Sequence, residues 1–524
     1  MISVDLWNSL RSNLGVLALL LALGLVIATR RQYATASKGR TLPPGPPGKP
    51  MIGSILEVAQ LNAPCALTRY GEQYGKYLGS QTCSCVTHQA VPGDLVMFRG
   101  LGKNVLVLNS LRAINDLFDK RAANYSNRPT VVFLPYGDEW RAHRKLMHSA
   151  LGPAQIKQYN RIQEDAAALM TKALIDKPEQ FWGLVRTYVA KVIIAITYGI
   201  SASSIQDELI KMGEEVMEIS AKAALPGHYL CDSIPLFKYA PPWVAFQREA
   251  RRGRAMVQRF ITEPIEHIKR DMENDTAPPS FTRDLLSLPE EEAPERNRRL
   301  PWVSGTMFNG MISTYSTVLS FILAMALNPE KQKLAQAEID AVIGEGRLPT
   351  LADRQDLPYV NAIVKEVMRW LPTVPLGVPR CSVQEDFHGD YYIPKDTVLI
   401  PNVWYTSHDR AIAFEPNVKY DPQTFLPERF LDDSTTTPDP TAWAFGFGRR
   451  ICPGRHLAEN SLFIIVATML TVFNISPPKD GTIPEEFTSG TGRYVWLCSR
   501  ITSYITYIIW QDYERISVLF YFSL

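Results

Sequence analysis

One cysteine constrains this chain more than any other feature. Residues 445–455 read FGFGRRICPGR, and the run RHLAENSLFIIVATML, which reads as helix, directly follows Cys452-Pro453-Gly454. A thiol just before a helix N-terminus meets a partial positive charge and free N–H groups, and both favour thiolate. Phe445, Gly446 and Gly448 allow a tight turn and close approach of the backbone to something flat. Arg450, two residues before the thiol, can reach an anion on that same object. A lone cysteine is usually structural, but these glycines and arginines weigh against that here. A thiolate with an aromatic shield and an arginine on a carboxylate is what the proximal side of a haem needs.

The remaining cysteines add little. They are Cys65, Cys83, Cys85, Cys231, Cys381 and Cys498, and with Cys452 they make seven, an odd and sparse set in 524 residues. No disulfide framework and no paired zinc spacing emerges, so a reducing compartment is expected. With 55 Lys plus Arg against 53 Asp plus Glu, no global basic field argues for nucleic acid.

Residues 12–29, SNLGVLALLLALGLVIAT, carry no charge, and Arg30, Arg31, Lys38 and Arg40 follow. A helix of about 20 residues spans a bilayer, and terminal arginines can snorkel. The positive charge follows the apolar run and no small-residue cleavage site is evident, which argues against a cleaved signal peptide. Basic residues stay cytoplasmic. Residues 1–31 are therefore expected to be a retained single-pass anchor with the body in the cytosol. Residues 32–50, with LPPGPPGKP, form a stiff linker.

The body, expected over 51–490, reads as mainly α with a minor β part. Helical periodicity runs through 154–199, 205–223, 244–273, 302–327, 330–343 and 355–370. Strand-like pieces are 95–98, 104–108 and 397–400. The polar, proline-bearing stretch 274–300 reads as a solvated loop.

FGFGRRICPG resembles the haem-binding loop of the cytochrome P-450 family. Other motifs agree in order. EVMR supplies Glu366 and Arg369 on one helical face, and PERF supplies Arg429; in the family these form a buried charge network behind the haem loop. WRAHRK supplies Trp140 and Arg144, which the resemblance places on a haem propionate, and Arg380 after LGVP matches another such position. SHD at 407–409 also fits. The resemblance implies the P-450 fold and haem b, with Cys452 as axial ligand of the iron. The thiolate helps O–O cleavage while one oxygen atom enters a hydrophobic small molecule. NADPH would supply electrons through NADPH–cytochrome P-450 reductase at the endoplasmic reticulum membrane. Finer motifs resemble fungal secondary-metabolism members, such as those called O-methylsterigmatocystin oxidoreductase-like, which sets a lineage and not a substrate.

The family's oxygen-facing helix carries Gly, then an acid, then two hydroxyl residues. Counted back from NPE, this chain offers Gly310, Met311, Ile312, Ser313 and Thr314. Gly310, Ser313 and Thr314 are the candidate catalytic positions, and isoleucine occupies the acid position. A rearranging or peroxide-using haem–thiolate enzyme, or a haem protein with little turnover, is the alternative. Three places depart from the pattern: extra residues at 76–93, a short junction at 129–130, and an atypical tail at 491–524. Gly75-Lys76-Tyr77 and TGRYV can encode intron donors, so an imperfect gene model and genuine loop variation both account for them. IPLFKYAPPWV at 234–244 reads either as a second membrane contact or as a buried loop.

Overall fold

Apolar residues recur at helical spacing along most of the body, and helices form there. A computed structural model describes residues 35–477, apart from 50–52, 60–62, 75–93, 101, 129–133, 201–203, 225–228, 230, 232–236, 238, 290, 292–294, 309, 409–418 and 435–436. The expected anchor at 1–31, the insertion at 76–93, the 129–130 junction and the 491–524 tail lie outside the described residues. The longer helices are α1 (Ala63–Tyr74), α2 (Asp138–Leu151), α3 (Asn160–Asp176), α4 (Phe181–Tyr198), α5 (Ser204–Ala224), α6 (Ala245–Glu273), α7 (Arg296–Phe308), α8 (Gly310–Leu327), α9 (Pro329–Val342), α10 (Pro358–Trp370) and α11 (Arg455–Val472).

Local signals place their ends. Pro329 and Pro358 open α9 and α10, where the missing N–H costs nothing. Gly199 ends α4 in the left-handed conformation, with φ 72°. α8 and α11 are apolar nearly all round, and such helices belong inside. They pack on each other. α8 also lies against α4 and α10, and α11 against α3, α9 and α10. Phe181–Tyr198 and Arg296–Leu327 are long and apolar enough to cross a membrane, by length and composition only; half or more of each is packed inside the fold.

A small sheet holds the other side. β1 (Leu95–Gly100) pairs antiparallel with β2 (Lys103–Leu108), β2 pairs parallel with β6 (Val398–Pro401), and β6 pairs antiparallel with β3 (Arg380–Cys381). β4 (Asp386–His388) and β5 (Tyr391–Ile393) form a separate antiparallel pair. One face of the sheet, with Leu95, Met97, Leu106 and Leu108, shares a core with Phe118, Trp443 and Phe447. The cysteine loop is thus anchored to the sheet on one side and to α11 on the other.

Two expectations need correction. The 154–199 pattern is two helices, α3 and α4, after a 3-10 turn at Ile156–Tyr159, because Pro178 interrupts the backbone ladder. The 274–300 stretch is not one solvated loop. Ser280 caps a short helix, Phe281–Ser287, that buries Phe281 and Leu285. Residues Arg296–Leu300 already belong to α7.

Candidate active site

Cys452 lies between a 3-10 turn, Gly448–Arg450, and the start of α11. Its N–H donates to the Phe445 carbonyl at 2.8 Å, which closes the loop. Gly446 and Gly448 take φ 79° and 49°. A side chain on Gly448 would collide with the Phe118 carbonyl, so this glycine lets the loop lie on the segment before α2. The Cys452 side chain keeps accessible surface although protein encloses most of it. Burial pushes the thiol's pKa up, and the Gly454 N–H with Arg144 and Arg455 only partly offset that. The helix start pulls toward thiolate, as expected from the sequence, but does not by itself overcome burial to make one. A bound metal cation would, since thiol ligands deprotonate on coordination.

Arginines converge around this loop. Arg450 donates from Nε to the Ser126 carbonyl and from Nη2 to the Leu134 carbonyl, both at 2.8 Å, and lies 4.6 Å from the Trp140 ring centroid. Arg144 donates to the Ile451 carbonyl. Arg380 donates to the Phe447 carbonyl and stands 4.0 Å over the Phe118 ring. Arg128 donates to the Val378 and Pro379 carbonyls, each at 2.7 Å. Burial, then Arg380 and Arg450, push Arg128 down to about 9. Burial also lowers Arg380 to about 9 and Arg450 to about 10. A guanidinium resists deprotonation, so such a cluster is relieved by an anion. An enclosed thiol beside a set of buried and partly buried arginines suits haem, with its iron and two carboxylates, so the residues present fit the group.

Behind the loop is a buried charge network. Glu366 is fully buried and receives Arg369 through two bonds of 2.7 Å and Arg429 Nε at 3.1 Å. The Leu426 N–H adds a bond of 2.7 Å. One carboxylate faces two guanidiniums, and carbonyls of Ser407, Asp421, Pro422 and Thr424 accept the remaining N–H groups. Of the SHD motif, Ser407 enters this network, and Asp409 lies outside the described residues.

α8 packs on α11, the helix that Cys452 precedes, and carries the candidate catalytic positions. Its first residue, Gly310, is exposed, and a Cβ there would meet no atom within 4 Å. Ser313 and Thr314 both donate to the Gly310 carbonyl, at 3.0 and 3.3 Å. Ile312 packs against the main core. Thr317 donates to the Ser313 carbonyl at 2.9 Å and sits 2.9 Å from the Thr373 hydroxyl. The single Thr317 proton is already used, so Thr373 donates to it. No carboxylate lies on α8.

The sequence matches the family model described as Cytochrome P450 over residues 43–496. The chain belongs to the cytochrome P450 family. It is 36% identical over 478 residues to cytochrome P450 monooxygenase COX2 of Coprinopsis cinerea, covering 87% of this chain and 86% of that protein. It is 35% identical over 483 residues to cytochrome P450 monooxygenase 105 of Postia placenta, covering 87% and 88% respectively. The family is one of haem-iron monooxygenases, and this protein is a cytochrome P450 monooxygenase.

Within this P450, the structure brings Trp140, Arg144, Arg380 and Arg450 to the Cys452 loop and joins Glu366, Arg369 and Arg429. Gly310, Ser313 and Thr314 share one backbone carbonyl. Arg128 and Thr373 were missed by the sequence reading. Arg128 stood in SNRP beside the odd junction, and Thr373 had no motif to mark it. Only the fold shows what each faces.

Proposed function

We propose that Cys452 is the axial ligand of a haem b, with Arg128, Trp140, Arg144, Arg380 and Arg450 holding the propionate side. The single observation that carries this is the enclosed thiol ringed by mutually repelling arginines. When bound, the haem supplies the oxygen-activating chemistry. The chain's own residues seat it, orient it, and present the first turn of α8. The substrate is a hydrophobic small molecule, a secondary metabolite by the lineage of the motifs. Electrons come from NADPH through NADPH–cytochrome P450 reductase. The test is a carbon-monoxide difference spectrum of the reduced protein, followed by NADPH consumption with a reductase. A thiolate-type spectrum with reductase-dependent product formation supports the reading, and its absence overturns it.

One observation favours a second reading. Ile312 stands packed where a proton-passing acid is expected, and α8 carries no other. Thiolate ligation without NADPH-driven turnover would identify a rearranging, peroxide-using or inactive haem protein.

Residues 1–31 act as a membrane anchor in this proposal, at the endoplasmic reticulum with the body cytosolic. A second contact is supported near α6, where Tyr239 and Trp243 are 86% and 74% exposed and so do not form a buried loop. Deleting residues 1–40 should leave a haem domain that still sediments partly with vesicles. If the truncated protein is fully soluble without detergent, the second contact is negligible.

A further inference from the structure

A charge cluster at the edge of the site has no role in the assignments above. Glu139, in the first turn of α2, receives Arg299 through a fork, Nε to Oε1 at 3.1 Å and Nη2 to Oε2 at 3.0 Å. Arg298 donates to Oε2 at 2.8 Å. His143, one turn along α2, brings Nε2 to 3.1 Å from Oε1. Glu295 engages both arginines from the other side, at 2.6 Å to Arg298 and 3.1 Å to Arg299. Two carboxylates thus meet two guanidiniums. The side chains of Arg299 and Glu139 are 13% and 33% exposed, so the fork is partly shielded from water. Arg299 and Arg298 outweigh the cost of burial and hold Glu139 down to about 2.

The placement gives this clamp a consequence. On α2, Glu139 and His143 form one i, i+4 pair, and Trp140 and Arg144 form the next, about 100° further round the helix. Trp140 meets Arg450, and Arg144 meets the Ile451 carbonyl beside Cys452. Any rotation or slide of α2 moves both contacts together. Arg298 and Arg299 lie on α7, the helix preceding Gly310 and α8. The fork therefore pins α2 to α7, which packs on α8.

We propose that Glu139 is a positioning residue: clamped by Arg298 and Arg299, it fixes the rotation of α2 and so keeps Trp140 and Arg144 in place to retain and orient the haem. This rests on the haem reading above. It extends it to a residue that would touch neither haem nor substrate.

The test measures haem transfer from the holoprotein to a haem-scavenging globin, with amide hydrogen exchange over 138–151 as a second readout. E139Q should release haem about fivefold to tenfold faster, the scale of one partly shielded charged pair. Exchange in α2 should rise. About 1 M salt should speed release from the wild type by a larger factor than from E139Q, because screening of the clamp adds to that of the propionate arginines both proteins share. The exchanged pair E139R/R299E should recover part of the loss, which a merely packed side chain would not do. If E139Q does not fold, R298Q leaves the fork intact and should give a smaller increase, about twofold. Wild-type release with wild-type exchange in either folded variant would overturn the proposal. If the wild type binds no haem, the haem reading fails, and the exchange comparison still decides whether the clamp holds α2.

Discussion

The wall behind Cys452 and the wall formed by α8 are built on different terms. Behind the thiol, Glu366, Arg369 and Arg429 are buried and each is held by several partners at once. On α8, Ser313 and Thr314 make one bond each, back to the same Gly310 carbonyl, and Ile312 makes none. The first wall is over-determined, so a substitution there costs the fold. The second carries few side-chain hydrogen bonds among the described residues, so a substitution there changes chemistry more than it costs the fold. Under the proposed haem reading, holding the cofactor and passing protons to it would thus be separable.

The largest effect should follow from attacking the first wall. Glu366→Ala leaves two guanidiniums facing one another without their carboxylate, at a cost of roughly 3–5 kcal/mol. Soluble yield and haem-to-protein ratio should both collapse. A stable, haem-replete variant would remove the difference between the walls.

An intermediate effect is expected on α8, visible in chemistry only. Ile312→Asp should lower the peroxide released per NADPH consumed, because a carboxyl beside Ser313 supplies a proton donor, and its raised pKa in an apolar setting suits that task. Ser313→Ala should raise the same ratio. Both variants should keep the wild-type haem content. If all three proteins give equal ratios, neither position takes part in proton delivery.

The smallest effect concerns the rim beside the first wall. Burial lowers the His143 pKa, with Glu139 only partly opposing it. A neutral buried histidine contributes stability that is present above the free imidazole value, about 6.5, and is lost as pH falls below it. Between pH 7 and 5 the wild-type Tm should therefore fall more steeply than that of His143→Gln. Parallel slopes would show that His143 is not held neutral by the fold.

Much of this was legible in the sequence, for reasons that differ between residues. Cys452, Gly446 and Gly448 announced themselves because a lone thiol among glycines has few structural explanations. Glu366 and Arg369 shared a helix face by spacing alone, and β1, β2 and β6 lay close to the strand-like pieces of the sequence. Arg299 was misread as solvated, because charge density in sequence says nothing about a partner such as Glu139, some 160 positions away. The pull of the helix terminus toward thiolate was legible, and burial, a tertiary property, opposes it. Arg128 and Thr373 became visible only when the fold brought them to Arg380 and Thr317.

The central claim is that Cys452 is the thiol that binds iron, and one spectrum tests it. Reduced wild-type protein under carbon monoxide should give the thiolate-type difference spectrum. Cys452→Ala should lose it entirely, while Cys381→Ala, which removes a buried thiol next to Arg380, should keep it. A thiolate-type spectrum persisting in Cys452→Ala would contradict the assignment and the reading of the site built around it.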